Sequence, residues 1–113
     1  MELLPYEPGG DVMVMHAGDE INADDADRLN AEIGQRIDDG LRRLIIDCTG
    51  LKTMNSMGIS TLLLLHNRMN SRGGVLRISG TRGQVADVLR MTRLDVVLRI
   101  HPDIEQANQA FSD

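Results

Sequence analysis

The apolar positions of this chain change rhythm along its length, and each change marks an element. Residues 11–17, DVMVMHA, are an almost unbroken Val and Met run that predicts a strand ended by Gly18. An earlier strand is expected around Leu3 to Tyr6, turned back by Pro8, Gly9 and Gly10. From Ile21 the spacing lengthens: Ala26, Leu29, Ile33 and Ile37 recur at helical intervals with polar residues between them. Asn22 and Asp25 are three apart, as in a capping box, and Asp24 and Asp25 suit the positive end of a helix that Gly40 closes.

The second half repeats the alternation. LRRLIIDC, residues 41–48, is aliphatic without period-two alternation at its centre, the pattern of a strand buried on both faces. A largely apolar helix is expected from Ser56 to Arg72, stopped by Gly73 and Gly74, followed by the strand VLRIS. The stretch TRGQVADVLRMTRL predicts a helix with Val85, Val88, Leu89 and Met91 facing inward. DVVLRI, residues 95–100, reads as a strand, and PDIEQANQAF as a last helix with Pro102 in its first turn. The order β-β-α-β-α-β-α-β-α predicts one α/β domain over residues 1–113. Its sheet should be mixed but mostly parallel, with four to five strands and about four helices.

Composition narrows the class. With 113 residues the chain supports one core. Tyr6 and Phe111 are the only aromatic residues, so that core must be aliphatic and methionine-based. No stretch approaches the roughly 20 apolar residues of a membrane span, and MELLPYEPGG lacks the pattern of a secretory signal. The single cysteine, Cys48, excludes an intrachain disulfide, lies in a strand-like run, and fits a reducing, cytoplasmic setting. The net charge of −5 is unevenly spread: residues 1–40 carry −9 and residues 41–113 carry +4. Eleven of the twelve bases are arginines, but they are scattered and no aromatics are interleaved. Nucleic acid is therefore not the expected partner; an arginine-bearing face for a protein fits no better from the charges alone, and an ordinary solvated surface fits better than either.

Candidate chemistry gathers in CTGLKTMNSMGISTLLLL, Cys48 to Leu65. Asp47 ends a predicted strand, and the loop from Thr49 to Asn55 leads to a helix start. In open α/β sheets, sites form beyond the carboxyl ends of the strands. Ser56 stands there, where free N–H groups and the positive helix end favour an oxygen-rich anion. Three roles compete for this position: helix cap, nucleophile, or acceptor of a modification. A nucleophile elbow wants glycine two residues before its serine, and Met54 is there instead. His66 lies ten residues along the same helix, about 15 Å away. His16 and His101 each fall near a strand end, with nothing to recommend either as a base. No Walker-type loop and no metal-ligand spacing of His or Cys occurs, so no metal or cofactor is expected. The cap remains open for Asn55 or Ser56.

Taken in order, LIIDCTGLKTMNSMGISTLL and RGGVLRISGTRGQVADVLRMTRLDVVLRIHPDIEQA resemble the STAS domain, the family of sulphate transporters and anti-sigma factor antagonists. AGDEINADDADRLNAEI resembles the family's second-strand exit and first helix, so the resemblance runs from about Asp11 to Phe111. In the antagonist branch, the serine at this helix start is phosphorylated by a partner that is both serine kinase and anti-sigma factor. The resemblance implies a non-enzymatic phosphoprotein acting in transcription regulation and signal transduction. Ser56 is then the acceptor, and Thr53, Met54, Asn55, Met57 and Gly58 share its partner surface. Asp47 and Thr49 support the loop, with Met54 and Met57 as either partner contacts or core filler. The unmodified form would bind the partner and free a sigma factor, and the phosphorylated form would let go; an oligomer is compatible with this. This chain departs from the family at three positions. Asn55 stands where Asp is common and keeps its shape without its charge, Met57 where Ser or Thr is frequent, and Arg93 where Gly often precedes Leu. Two rivals follow: a STAS subunit of a lipid-transport or stress-signalling complex, whose serine need not be modified, and a small serine hydrolase using Ser56.

Overall fold

The computed structural model describes residues 2–112. Its elements are β1 (Glu2–Pro5), β2 (Val12–His16), α1 (Ala23–Asp38), β3 (Arg43–Asp47), α2 (Ser56–Ser71), β4 (Val75–Ser79), α3 (Gly83–Met91), α4 (Leu94–Val97), β5 (Arg99–His101) and α5 (Ile104–Ala110). One five-stranded sheet runs β1-β2-β3-β4-β5. The first pair is an antiparallel hairpin, and the other three pairs are parallel. This is the mixed, mostly parallel α/β domain expected, with a fifth helix added.

Each element has a legible cause. Asn22 caps α1 by accepting from the Asp25 amide, while the Asp25 carboxylate accepts from the Asn22 amide. Both free amides are thus satisfied reciprocally. The helix ends where Gly40 takes φ +110°, a conformation that side chains resist. β3 lies between β2 and β4, and Leu44, Ile45 and Ile46 are all buried, as its unbroken aliphatic run predicts.

Two cores of unequal size flank the sheet. Met15, Leu44, Ile46, Leu76 and Ile78 point to one side and meet Leu29 and Ile33 of α1, Leu62, Leu65 and Met69 of α2, and Val85 and Leu89 of α3. Val12, Val14 and Ile45 point to the other side and are covered by Ala107, Ile104 and Phe111 of α5. Burial of this aliphatic surface, at roughly 25 cal/mol per Å² of apolar area, is the main term favouring the fold.

Three details differ from the sequence expectation. DVVLRI does not form a strand throughout. Leu94 and Leu98, four apart, are both buried, and the Leu98 amide donates to the Leu94 carbonyl, so residues 94–97 close a helical turn. The strand shortens to Arg99–His101. Met91 does not face inward: it lies two residues, about 200°, beyond the buried Leu89 and is 81% exposed. Pro102 precedes the last helix instead of entering it, because Asp103 is the cap, accepting from the Gln106 amide at 2.8 Å.

Candidate functional site

The carboxyl ends of the parallel strands converge on Asp47. His16, Asp47 and Ser79 end β2, β3 and β4 and stand side by side in the register. Asp47 is 7% exposed. Its Oδ1 accepts from the Ser79 hydroxyl at 3.0 Å and the Thr49 hydroxyl at 2.8 Å, and its Oδ2 lies 3.2 Å from His16 Nδ1. A buried carboxylate is tolerable when its lone pairs are filled in this way. Asp47 therefore ties three strand ends to the first turn of the loop that follows. Gly80, at φ +74°, completes the arrangement, since a Cβ there would run into Thr49 and Asp47.

From Cys48 to Asn55 the loop is held by groups drawn from elsewhere in the chain. The Cys48 amide donates to the Ser79 carbonyl at 2.7 Å, and the Lys52 amide to the Asp19 carbonyl at 2.8 Å. Arg82 donates to the Thr49 carbonyl at 3.1 Å. Gln84, in the first turn of α3, grips the Met54 peptide on both sides: the Met54 amide donates to Oε1 at 2.7 Å and Nε2 donates to the Met54 carbonyl at 3.2 Å. An open depression of about 430 Å³ lies between the loop and α3, lined by Thr49, Gly50, Leu51, Lys52, Arg82, Gly83 and Gln84. Its two cations, Lys52 and Arg82, make this flank of the loop positive.

At the helix start the two candidate caps take separate roles. Asn55 is the N-cap, and its Oδ1 accepts from the Gly58 amide at 2.9 Å. Ser56 is the first helical residue, exposed, and among the described residues its hydroxyl has no hydrogen-bond partner. The first turn of α2 contains no acid, so a negative group there meets a helix dipole and amides without an intrahelical partner, with no like charge in that turn.

The remaining candidates divide by exposure. Thr53, Asn55 and Met57 are exposed with Ser56, and Met57 is 42% exposed. Gly58 and Met54 are buried beneath them. A Cβ at Gly58 would come within 2.5 Å of the Met54 sulfur, so the glycine makes room for the methionine under the helix start. Of the two methionines, Met54 is floor and Met57 is surface. Thr49 is exposed although its hydroxyl is tied to Asp47. Sequence reasoning missed Asp19, Ser79, Arg82 and Gln84. Ser79 was findable, since parallel strands in register set it beside Asp47, but nothing local marks Gln84.

The titratable groups nearby are committed to the fold. His66 is buried, pairs with Asn70 at 3.0 Å, and has its pKa lowered by burial and then by Arg99. His101 pairs with Arg77 at 3.1 Å and is lowered by burial and then by Arg77. His16 is engaged by Asp47. Burial, with Asp47 beside it, pushes the Cys48 thiol up to about 12, which leaves it un-ionised and a poor nucleophile. Among the described residues no group of three or more His, Cys, Asp or Glu is placed to hold a metal, and no helix is long and apolar enough to cross a membrane.

The chain is thus an α/β domain, a mixed sheet with four helices on one face and one on the other, with an exposed serine at the start of α2. The chain belongs to the STAS domain family, whose model matches residues 6–107. It is 25% identical over 91 residues to BtrV of Bordetella bronchiseptica, a protein named for a proposed role as an anti-sigma factor antagonist; the match covers 80% of this chain and 78% of BtrV. The fold is that of anti-sigma factor antagonist structures. A crystal structure from Thermotoga maritima, given the same proposed role, superposes with a TM-score of 0.87 at 19% identity, over 97% of this chain and 95% of that one. The Bacillus cell fate determinant SpoIIAA in its phosphorylated form superposes with a TM-score of 0.75 at 15% identity, covering 96% and 97%.

Proposed function

We propose that this protein is an anti-sigma factor antagonist that acts in the cytoplasm. In this reading it binds an anti-sigma factor with serine kinase activity through Thr53, Asn55, Ser56 and Met57, and phosphorylation of Ser56 switches the binding off. The observation that carries the reading is the division of labour at the start of α2. Asn55 caps the helix, so the Ser56 hydroxyl is exposed and unbonded and is free to accept a group. A phosphate adds about −1.5 to −2 charges at neutral pH. At this position it meets the positive end of a 16-residue helix with no acid in its first turn. The fold tolerates the charge, and its cost falls on the partner, through repulsion and bulk at the contact surface. A protein of the same fold solved in phosphorylated form, SpoIIAA, is consistent with this.

The hydrolase rival finds less support. The described histidines are paired with Asp47, Asn70 and Arg77, and none bonds Ser56.

The test is incubation with the cognate anti-sigma kinase and ATP, followed by mapping of phosphate by mass spectrometry. Phosphate at Ser56 is expected; its absence, or its presence only at other residues, rejects the switch. In a binding assay with the same partner, Ser56→Ala should keep its affinity and Ser56→Asp should lose it. Equal affinity of the two variants would argue against charge as the means of release.

A further inference from the structure

Six large apolar residues are exposed among the described residues, and three of them fall within seven positions at the α3–α4 corner. Met91 is 81% exposed, Val96 79% and Val97 49%. Single exposed apolar residues are ordinary, but a group of them usually marks a contact surface. Cations accompany this group. Arg93 and Arg99 are exposed and have no hydrogen-bond or ion-pair partner among the described residues, whereas Arg90 is tied to Asp87. Arg93 is also the one described non-glycine residue with a positive φ, at +60°. That conformation costs about 1 kcal/mol for a side-chain-bearing residue.

The corner lies away from Ser56. β5 is parallel to β4 and begins at Arg99, so residues 92–98 sit at the amino ends of the parallel strands. The loop 48–55 lies beyond their carboxyl ends. The five-residue strands between the two ends span about 16 Å, two Debye lengths at physiological salt, where one is about 8 Å. Charge added at Ser56 is therefore screened from this corner.

We infer that Met91, Arg93, Val96, Val97 and Arg99 form a second docking surface, for an acidic amphipathic helix of a partner protein, that works in either state of Ser56. The apolar residues supply the contact, and the two unpaired arginines select acidic flanks, in a chain whose net charge is −5. Other occupants fit less well. A strand would need an edge to pair with, and β5 offers three residues. An anionic membrane surface is read by clusters of four or more bases, whereas only two unpaired arginines are here, with the exposed Asp95 between them. Two-fold pairing with a second copy would bring matching arginines together.

The isotopically labelled chain, titrated with a synthetic Leu/Glu amphipathic helical peptide and followed by amide NMR shifts, tests the inference. The shifts should centre on residues 90–99, and Met91→Asp and Val96→Asp should each weaken binding about tenfold or more. Ser56→Asp should leave affinity within about twofold. Both anchor variants alter exposed side chains, so the chain remains folded and the comparison stays readable. The inference is overturned if the peptide does not shift residues 90–99, if its Leu/Lys counterpart binds equally, or if the shifts centre on residues 48–58. It is equally overturned if phosphatidylglycerol vesicles shift the corner and the peptide does not, or if the corner shifts with protein concentration alone.

Discussion

The loop 48–55 leads from a strand to a helix and the segment 92–98 from a helix to a strand, at opposite ends of the same sheet, and they are held in different ways. The first is pinned by side chains from distant elements: Asp47 through Thr49 and Ser79, Arg82 at Thr49, and Gln84 at Met54. The second is held by its own backbone turns and by two buried leucines, Leu94 and Leu98, with Arg93 in a left-handed conformation. Long-range polar clamps fix the loop that leads into Ser56. Local turns with an apolar anchor leave a segment defined in shape but unfilled on its outer side. The difference sets a loop whose geometry is fixed by side-chain clamps against a segment fixed only by its own turn and two leucines.

The largest effect expected on this contrast comes from Asp47→Ala. It leaves the fully buried Ser79 hydroxyl without its acceptor, frees Thr49 and removes the His16 contact. Urea unfolding should show a loss of about 3 kcal/mol. Hydrogen exchange should quicken across residues 48–55 and stay unchanged across 92–98; equal quickening at both would erase the distinction. Gln84→Ala comes next, at about 1 to 2 kcal/mol, because the amide of the buried Met54 loses its acceptor. The Met54 amide should exchange faster, and phosphorylation at Ser56 by the kinase should slow while Asn55 still caps the helix. Normal exchange at Met54 in this variant would mean the clamp is ornamental.

Arg93→Gly acts on the other segment and in the opposite direction. Glycine adopts φ +60° without strain but gains freedom in the unfolded chain, so a net stabilisation of about 0.5 kcal/mol is expected. A loss of stability would show that the arginine side chain supports the corner. The smallest effect is on pH dependence. His66 and His101 have folded pKa values below their ordinary 6.5, so the unfolded chain binds their protons more readily. Stability is therefore complete above about pH 6.5 and declines as pH falls below it. His66→Gln should flatten that decline between pH 7.5 and 5.5 in urea titrations, and an unchanged slope would remove His66 from it.

Most of the fold was legible because hydrophobic period, caps and glycines agree with one another in this chain. The Asn22 and Asp25 pair, the unbroken LIID run and the Gly73–Gly74 stop all act over a few residues, which a linear reading captures. The α3–α4 region defeated that reading because β-branched residues suggested a strand in DVVL. Burial instead selected the four-residue spacing of Leu94 and Leu98, a helical interval. The position of Ser56 was legible from the strand end and the leucine-rich helix that bracket it. Its free hydroxyl was not, since either Asn55 or Ser56 could cap and only geometry assigns the task. Gln84 was invisible for another reason: thirty residues separate it from Met54, and a glutamine on a helix surface has no sequence mark of what it holds.

Because Asn55 closes the end of α2, a group attached to the neighbouring oxygen breaks none of the helix's own bonds. Under the proposed switch, such a mark would be written and erased without any part of the domain melting. How long it persisted would then be a property of the enzymes that come and go, and the domain itself would keep no clock.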